Sequence, residues 1–191
     1  MEKVEINKNM KLSEHFTLGE MCKTKHVTAD GNIPSRVVIE NLIRVCGWLE
    51  ELRVLAGVRP QSKVCAGVRP QSKVAGDCTL APDPGAALDP GAAPSARKEV
   101  PIVINSGYRS PEVNRLAGGA TNSNHLTGCA VDIRCAGKEQ MIRYASILLD
   151  IADGSKQEYD ELLLEQHGSV CWLHFAVRPK ENRRIIRFLR V

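Results

Sequence analysis

The order of apolar and polar residues along the chain predicts two long helices. Over residues 35–55 apolar residues recur at steps of three and four, the period of a helix with one buried face. The same spacing returns over residues 138–152. A short helix is expected after Thr17, because Thr17 and Glu20 have the spacing of a capping box.

Five short runs predict strands, four of them rich in β-branched and aromatic residues and one, residues 160–165, rich in leucine. Because helices and strands alternate without regular βαβ spacing, we expect an α+β fold around a small antiparallel sheet. The third and fourth strands should form a hairpin across a polar turn, and the last should lie at an edge. The predicted strands are residues 100–105, 130–133, 160–165, 172–177 and 184–191.

Residues 56–99 differ in composition from the rest of the chain. AGVRPQSKV occurs twice and DPGAA occurs twice, and Pro, Gly and Ala dominate. Repeats this short do not match a solenoid unit, and few of these side chains could fill a core. We therefore predict one domain over residues 1–191 with a low-complexity surface insertion at about 56–99.

Charge and cysteine content narrow the classes of function. The net charge of +4 is too small to indicate nucleic acid as a partner. No apolar run is long enough for a membrane span or a signal-peptide core, so we expect synthesis in the cytosol and no membrane partner. We also expect a monomer. The seven cysteines include no C-x-x-C pair, which argues against a disulfide framework or a cysteine zinc site.

Three residues form a candidate metal site. Strand alternation places Asp132 and His174 opposite their apolar neighbours, on one face if the two strands are adjacent. His125, in the loop before Asp132, could complete the set, and two imidazoles with one carboxylate suit a catalytic zinc. Each residue taken alone could instead be an incidental hydrogen-bonded group. Cys171 lies at odd spacing from His174 and should face away.

A zinc hydrolase also needs a carboxylate base, for which Glu165 and Glu161 on the preceding strand are candidates. Arg109 precedes the His125 loop and could stabilise an oxyanion or a substrate carboxylate. Alternatively, Arg109 could hold its own turn in place through backbone carbonyls.

These motifs together resemble those of zinc D-alanyl-D-alanine carboxypeptidases and related phage endolysin peptidases. The matching patterns are SGYRS at 106–110, S-x-H-x-x-G-x-A-x-D at 123–132 and W-x-H at 172–174. Residues 12–18 are similar to the start of a small prophage-associated branch. The resemblance implies the fold that this family shares with the hedgehog signalling domain and the lysostaphin-type enzymes.

The resemblance also implies roles for individual residues. The zinc ligands would be His125, Asp132 and His174. Glu165 would be the general base, although many relatives carry Glu-x-x-His, where this chain has Cys171. Arg109 would contact the substrate or the transition state. Further substrate contacts are expected from Tyr108, Ser123 and Trp172.

The implied function is a zinc-dependent peptidase that cuts an amide bond in the stem peptide or cross-link of peptidoglycan. The sequence leaves open a carboxypeptidase or an endolysin-type endopeptidase. It also leaves open a zinc-stabilised binding module without turnover. Without a signal peptide, access to the cell wall would need phage-type release, or the enzyme would recycle imported wall fragments. The basic tail could contact anionic wall polymer or, alternatively, nucleic acid.

Overall fold

The structure is a computed structural model that describes residues 7–57 and 100–190. The predicted insertion lies almost entirely outside the described residues. Among the described residues, no helix is long and apolar enough to span a membrane. The helices are α1 Leu18–Met21, α2 Arg36–Gly57, α3 Pro111–Leu116, a 3-10 helix Asn124–Thr127 and α4 Lys138–Ser155. The strands are β1 Ile104–Ser106, β2 Ala130–Cys135, β3 Glu161–His167, β4 Val170–Ala176 and β5 Ile185–Arg190.

Two helices begin at side-chain caps, and the cap of α1 is the one that the sequence predicts. The Thr17 hydroxyl accepts a hydrogen bond from the Glu20 backbone N–H at 3.3 Å, at the start of α1. Ser110 caps α3 in the same way, with Pro111 as its first residue. Each cap satisfies a backbone N–H that has no partner within its helix.

The five strands form one mixed sheet in the order β1-β2-β4-β3-β5. The predicted α+β class is confirmed, but the sheet is not wholly antiparallel, since β5 runs parallel to β3. Both edges of β4 are already paired, with β2 and with β3. A chain that reverses after β4 therefore reaches the free edge of β3, and it arrives parallel to β3.

The two faces of the sheet are unequal. Helices α2 and α4 pack together against one face, which carries apolar side chains such as Val131, Leu162 and Phe175. Trp48 from α2 contacts Phe175 with ring centroids 5.3 Å apart. The opposite face carries Asp132, His174, Glu161 and Glu165, so the site lies on the side away from the helices.

Several strand boundaries differ from the predictions, and two of these differences have a clear physical reason. The strand predicted at 100–105 is Ile104–Ser106, because Pro101 has no N–H to donate and the Val100 N–H instead bonds the Arg53 carbonyl of α2 at 3.4 Å. The last hairpin turns over Gly168 and Ser169 alone, with Gly168 at φ 57°. Glycine allows this tight turn, so the strands extend further than predicted.

Gly128 fixes the path of the chain between the 3-10 helix and β2. Its φ of 70° is a left-handed conformation, and an added Cβ would lie 2.8 Å from the carbonyl oxygen of Val38 on α2. Glycine is therefore required at this position both by backbone conformation and by contact.

We expect Gly128→Ala to destabilise the protein more than Gly118→Ala does. Gly118 has a similar φ of 71°, but its Cβ would meet open space. The control therefore loses about 1 kcal/mol for conformation alone, and Gly128→Ala about 1–3 kcal/mol more for crowding. Urea unfolding of both variants measures the difference. Equal losses would contradict the contact with Val38.

Candidate metal centre

Asp132 and His174 face each other across neighbouring strands. They are directly opposed in the β2–β4 register, and Asp132 Oδ1 lies 3.0 Å from His174 Nδ1. Val131 and Phe175, the neighbours along each strand, point into the core instead. The predicted alternation of faces is therefore confirmed, and Cys171, on the core side, points away from the site.

His125 reaches the same carboxylate from the 3-10 helix. The Ser123 hydroxyl caps that helix by accepting from the His125 backbone N–H at 3.3 Å, and Gly128 ends it. This short turn directs His125 Nε2 to within 3.2 Å of Asp132 Oδ1. The side chain is almost fully buried, with 2% of its surface exposed.

The three donors have a spacing that suits a metal ion. One donor atom from each of His125, Asp132 and His174 lies within 4.8 Å of the others. Zinc bonds of 2.0–2.1 Å in a tetrahedral arrangement separate neighbouring donors by about 3.3 Å. The distances of 3.0 and 3.2 Å to Asp132 Oδ1 are close to that value. The donor set therefore fits zinc, with one position left open.

A backbone carbonyl orients the first histidine. The Nδ1–H of His125 donates to the carbonyl oxygen of Gly107 at 2.6 Å, which leaves Nε2 as the donor atom for a metal. Gly107 is held against Met21, whose carbonyl oxygen leaves no room for a Cβ at that position. The glycine in SGYRS thus brings its carbonyl to the ring.

Arg109 is bound to the candidate metal ligands as well as to its own turn. Its Nη2 donates to Asp132 Oδ2, and its Nε donates to the Ser106 hydroxyl at 2.7 Å. Its backbone N–H donates to the His125 carbonyl at 3.1 Å. The guanidinium therefore contacts the Asp132 carboxylate as well as the Ser106 hydroxyl of its own turn, and the predicted contact with substrate stays a prediction.

The charges of the cluster are strongly coupled. Burial acts to raise the pKa of Asp132, but the two imidazoles beside it hold that pKa far below its usual range. Burial lowers the pKa of His125. Burial would lower the pKa of His174 too, yet hydrogen bonds to Asp132 and Glu161 outweigh it and raise the pKa to about 9.

The two candidate bases, Glu161 and Glu165, lie on β3, to either side of His174 on the neighbouring strand β4. Leu163 is directly opposite His174, so Glu161 and Glu165 lie diagonally to either side of it on the same face. Glu161 Oε2 is 3.5 Å from His174 Nε2, and this contact lowers the pKa of Glu161. Burial raises the pKa of Glu165, although the nearby charge of His174 acts in the opposite direction. The two carboxyls therefore have opposite tendencies to hold a proton.

An open cleft of about 960 Å³ contains the cluster. Ser123 and Trp172 line it, as predicted for substrate contacts, and Arg109 reaches it too. Tyr108 does not line this cleft. It packs in the core, and its backbone N–H bonds the Met21 carbonyl at 2.8 Å, so the prediction that it contacts substrate is not supported.

Sequence reasoning missed four residues beside the cluster: Asn124, Asp160, Arg178 and Arg183. They come from separate segments, and the Asn124 side chain bonds both Asp160 and Glu161. The sequence signal for this group is that Asn124 is adjacent to His125.

Among the histidines outside the cluster, His15 bonds Glu50 at 2.8 Å, away from the cleft.

Comparison with known proteins supports the predicted resemblance. Residues 91–157 match the family model described as Peptidase M15. This segment carries Arg109, His125 and Asp132, whereas Glu165 and His174 lie beyond it. The resemblance to this peptidase family is confirmed, while the small prophage-associated branch stays a prediction. No curated protein matches the chain.

The pKa of His174 predicts how the stability of the metal-free protein depends on pH. The folded-state pKa of about 9 lies above the ordinary value of 6.5, so this stabilisation is complete below 6.5 and is lost as pH rises through 9. We expect His174→Gln to lose more stability, relative to the unsubstituted protein, at about pH 6 than at about pH 10. Urea unfolding with a chelator present tests this. A loss that does not vary with pH would contradict it.

Proposed function

We propose, from the match to the Peptidase M15 family and from the His–Asp–His cluster, that this chain is a zinc-dependent peptidase acting on peptidoglycan peptides. The observation that carries the proposal is the convergence of three buried donors on an open cleft that also holds Glu165. A structural zinc site would have four protein ligands and no open position, whereas the part of the chain that the structure describes provides three here.

His125, Asp132 and His174 would hold the zinc ion. Zinc bound there supplies Lewis acidity toward the scissile carbonyl and lowers the pKa of water. The protein's part is to present the donors without rearrangement, which the pairing of β2 with β4 and the short 3-10 helix achieve.

Glu165 is the general base in this proposal. It lines the cleft, and its raised pKa suits a carboxyl that must take a proton from water and return it to the leaving amine. Glu161 is less suited, since its oxygens already accept bonds from Asn124 and Arg183 and contact His174. A carboxylate with several donors has little tendency to accept a proton.

Arg109 supports catalysis in two ways. Its bond to Asp132 Oδ2 orients that carboxylate, so that Oδ1 faces the two histidines. Because the guanidinium also reaches the cleft, it is placed to contact an oxyanion or a substrate carboxylate.

The substrate class follows from the resemblance to wall peptidases. A stem peptide or cross-link would enter the open cleft between the 117–127 segment and the β3–β4 hairpin. Ser123 and Trp172 would contact it. A carboxypeptidase would release one terminal residue, and an endolysin-type endopeptidase would release larger fragments. Release by a phage-type pathway would bring the enzyme to the wall.

Metal content tests the site. We expect the purified protein to bind about one zinc per chain, and His125→Ala to bind little or none, because a chelating donor is lost. The control is His26→Ala, which removes a histidine outside this cleft. Elemental analysis after dialysis provides the measurement. Equal zinc in all three proteins would place the metal elsewhere.

Substitution of the base tests the chemistry. We expect Glu165→Gln to keep its zinc but to lose about 10²–10⁴-fold in turnover of purified peptidoglycan, because the proton acceptor is gone. Glu139→Gln, an exposed residue on α4, is the matched control. Unchanged turnover in Glu165→Gln with zinc bound would exclude Glu165 as the base.

Mass analysis of the fragments in that assay separates the two peptidase activities. Loss of terminal alanine alone indicates a carboxypeptidase, and separated stem peptides or cross-links indicate an endopeptidase. A zinc-loaded protein that binds wall fragments and releases no amine would instead establish the binding module.

A further inference from the structure

His174 contacts a carboxylate through each ring nitrogen. Nδ1 faces Asp132 Oδ1 at 3.0 Å, and Nε2 faces Glu161 Oε2 at 3.5 Å. A neutral imidazole carries one N–H, so a proton held on Nε2 leaves the lone pair of Nδ1 for a metal. Glu161 thus lies where it can accept the Nε2 proton of His174. That contact favours the tautomer with a free lone pair on Nδ1, which the candidate site requires.

Glu161 is itself held in place by two donors. The Asn124 side-chain amide donates to Oε2 at 2.9 Å, and Arg183 Nη2 donates to Oε1 at 2.8 Å. Both carboxylate oxygens of Glu161 therefore accept hydrogen bonds from residues that are not candidate metal ligands. The carboxylate is confined to a small range of orientations next to the imidazole.

A buried carboxylate anchors both donors. Asp160 is fully buried and accepts the Asn124 amide at 2.8 Å, together with Nε and Nη2 of Arg183 at 2.8 and 2.7 Å. A carboxylate buried in this way is tolerated only when it is fully paired, so these contacts are costly to break. Asn124 also precedes His125 in the sequence, which links Asp160 to that histidine as well.

The other two candidate ligands have equivalent outer partners. The Gly107 carbonyl accepts from His125 Nδ1, and Arg109 donates to Asp132 Oδ2. With Glu161 beside His174, each of the three candidate ligands has an outer partner. Such partners fix ring orientation and raise the basicity of a ligand.

We propose that Glu161 is a positioning residue for His174, which accepts the Nε2 proton and directs Nδ1 to the metal. In this arrangement Asn124, Asp160 and Arg183 hold Glu161 in place. The inference rests on the proposed zinc site, and it gives Glu161 a role separate from that of the base.

Zinc affinity distinguishes a positioning residue from a base. In competition with a chromogenic chelator, we expect Glu161→Ala to bind Zn²⁺ about 10–100-fold more weakly than the unsubstituted protein. Glu161→Gln should recover much of that loss, because its amide oxygen still accepts from Nε2. Glu158→Ala removes an exposed carboxylate on the same segment and should not change the affinity.

A second measurement needs no variant. In the zinc-loaded protein, long-range ¹H–¹⁵N spectra should show His174 with a protonated Nε2 and a metal-bound Nδ1. Metal bound to Nε2 would overturn the inference even if Glu161→Ala failed to fold.

The remaining outcomes separate this inference from the proposed function. If the unsubstituted protein binds no zinc, both fail. If it binds zinc and a folded Glu161→Ala binds it equally well, the positioning role alone is wrong. If Glu161→Gln is as weak as Glu161→Ala, acceptance of the Nε2 proton by residue 161 is wrong as well.

Discussion

The buried carboxylate of Asp132 is the constraint on which the rest of the site depends. A charge removed from water must find partners, and Asp132 finds three, from three different segments. Arg109 comes from the turn after β1, His125 from the 3-10 helix and His174 from β4. One side chain on a central strand therefore determines how the neighbouring loops approach the sheet.

Two carboxyls on one strand acquire different chemistry from their surroundings. Glu161 is surrounded by donors that favour its charged form, while burial near Asp132 favours the neutral form of Glu165. They are four residues apart on the same strand and point the same way. Environment alone distinguishes a fixed acceptor from a group able to exchange protons.

Periodicity predicts the helices and the strand faces because burial of a single face imposes a repeat on the sequence. For that reason the sequence predicts that Asp132 and His174 lie close together on one face of the sheet. The contacts of Asp160 with Asn124 and Arg183 could not, since they join residues 36 and 23 positions apart through loops without a repeat. The parallel placement of β5 likewise depends on which sheet edge is vacant, and the burial of Tyr108 depends on a contact with distant Met21.

The hydrogen bond between Val100 and Arg53 has a consequence for access to the cleft. It places Val100 beside the C-terminal turns of α2, in the helical layer on the other face of the sheet. A change in the number of AGVRPQSKV or DPGAA repeats would therefore enter the chain between two points behind the sheet, and not between residues that line the cleft.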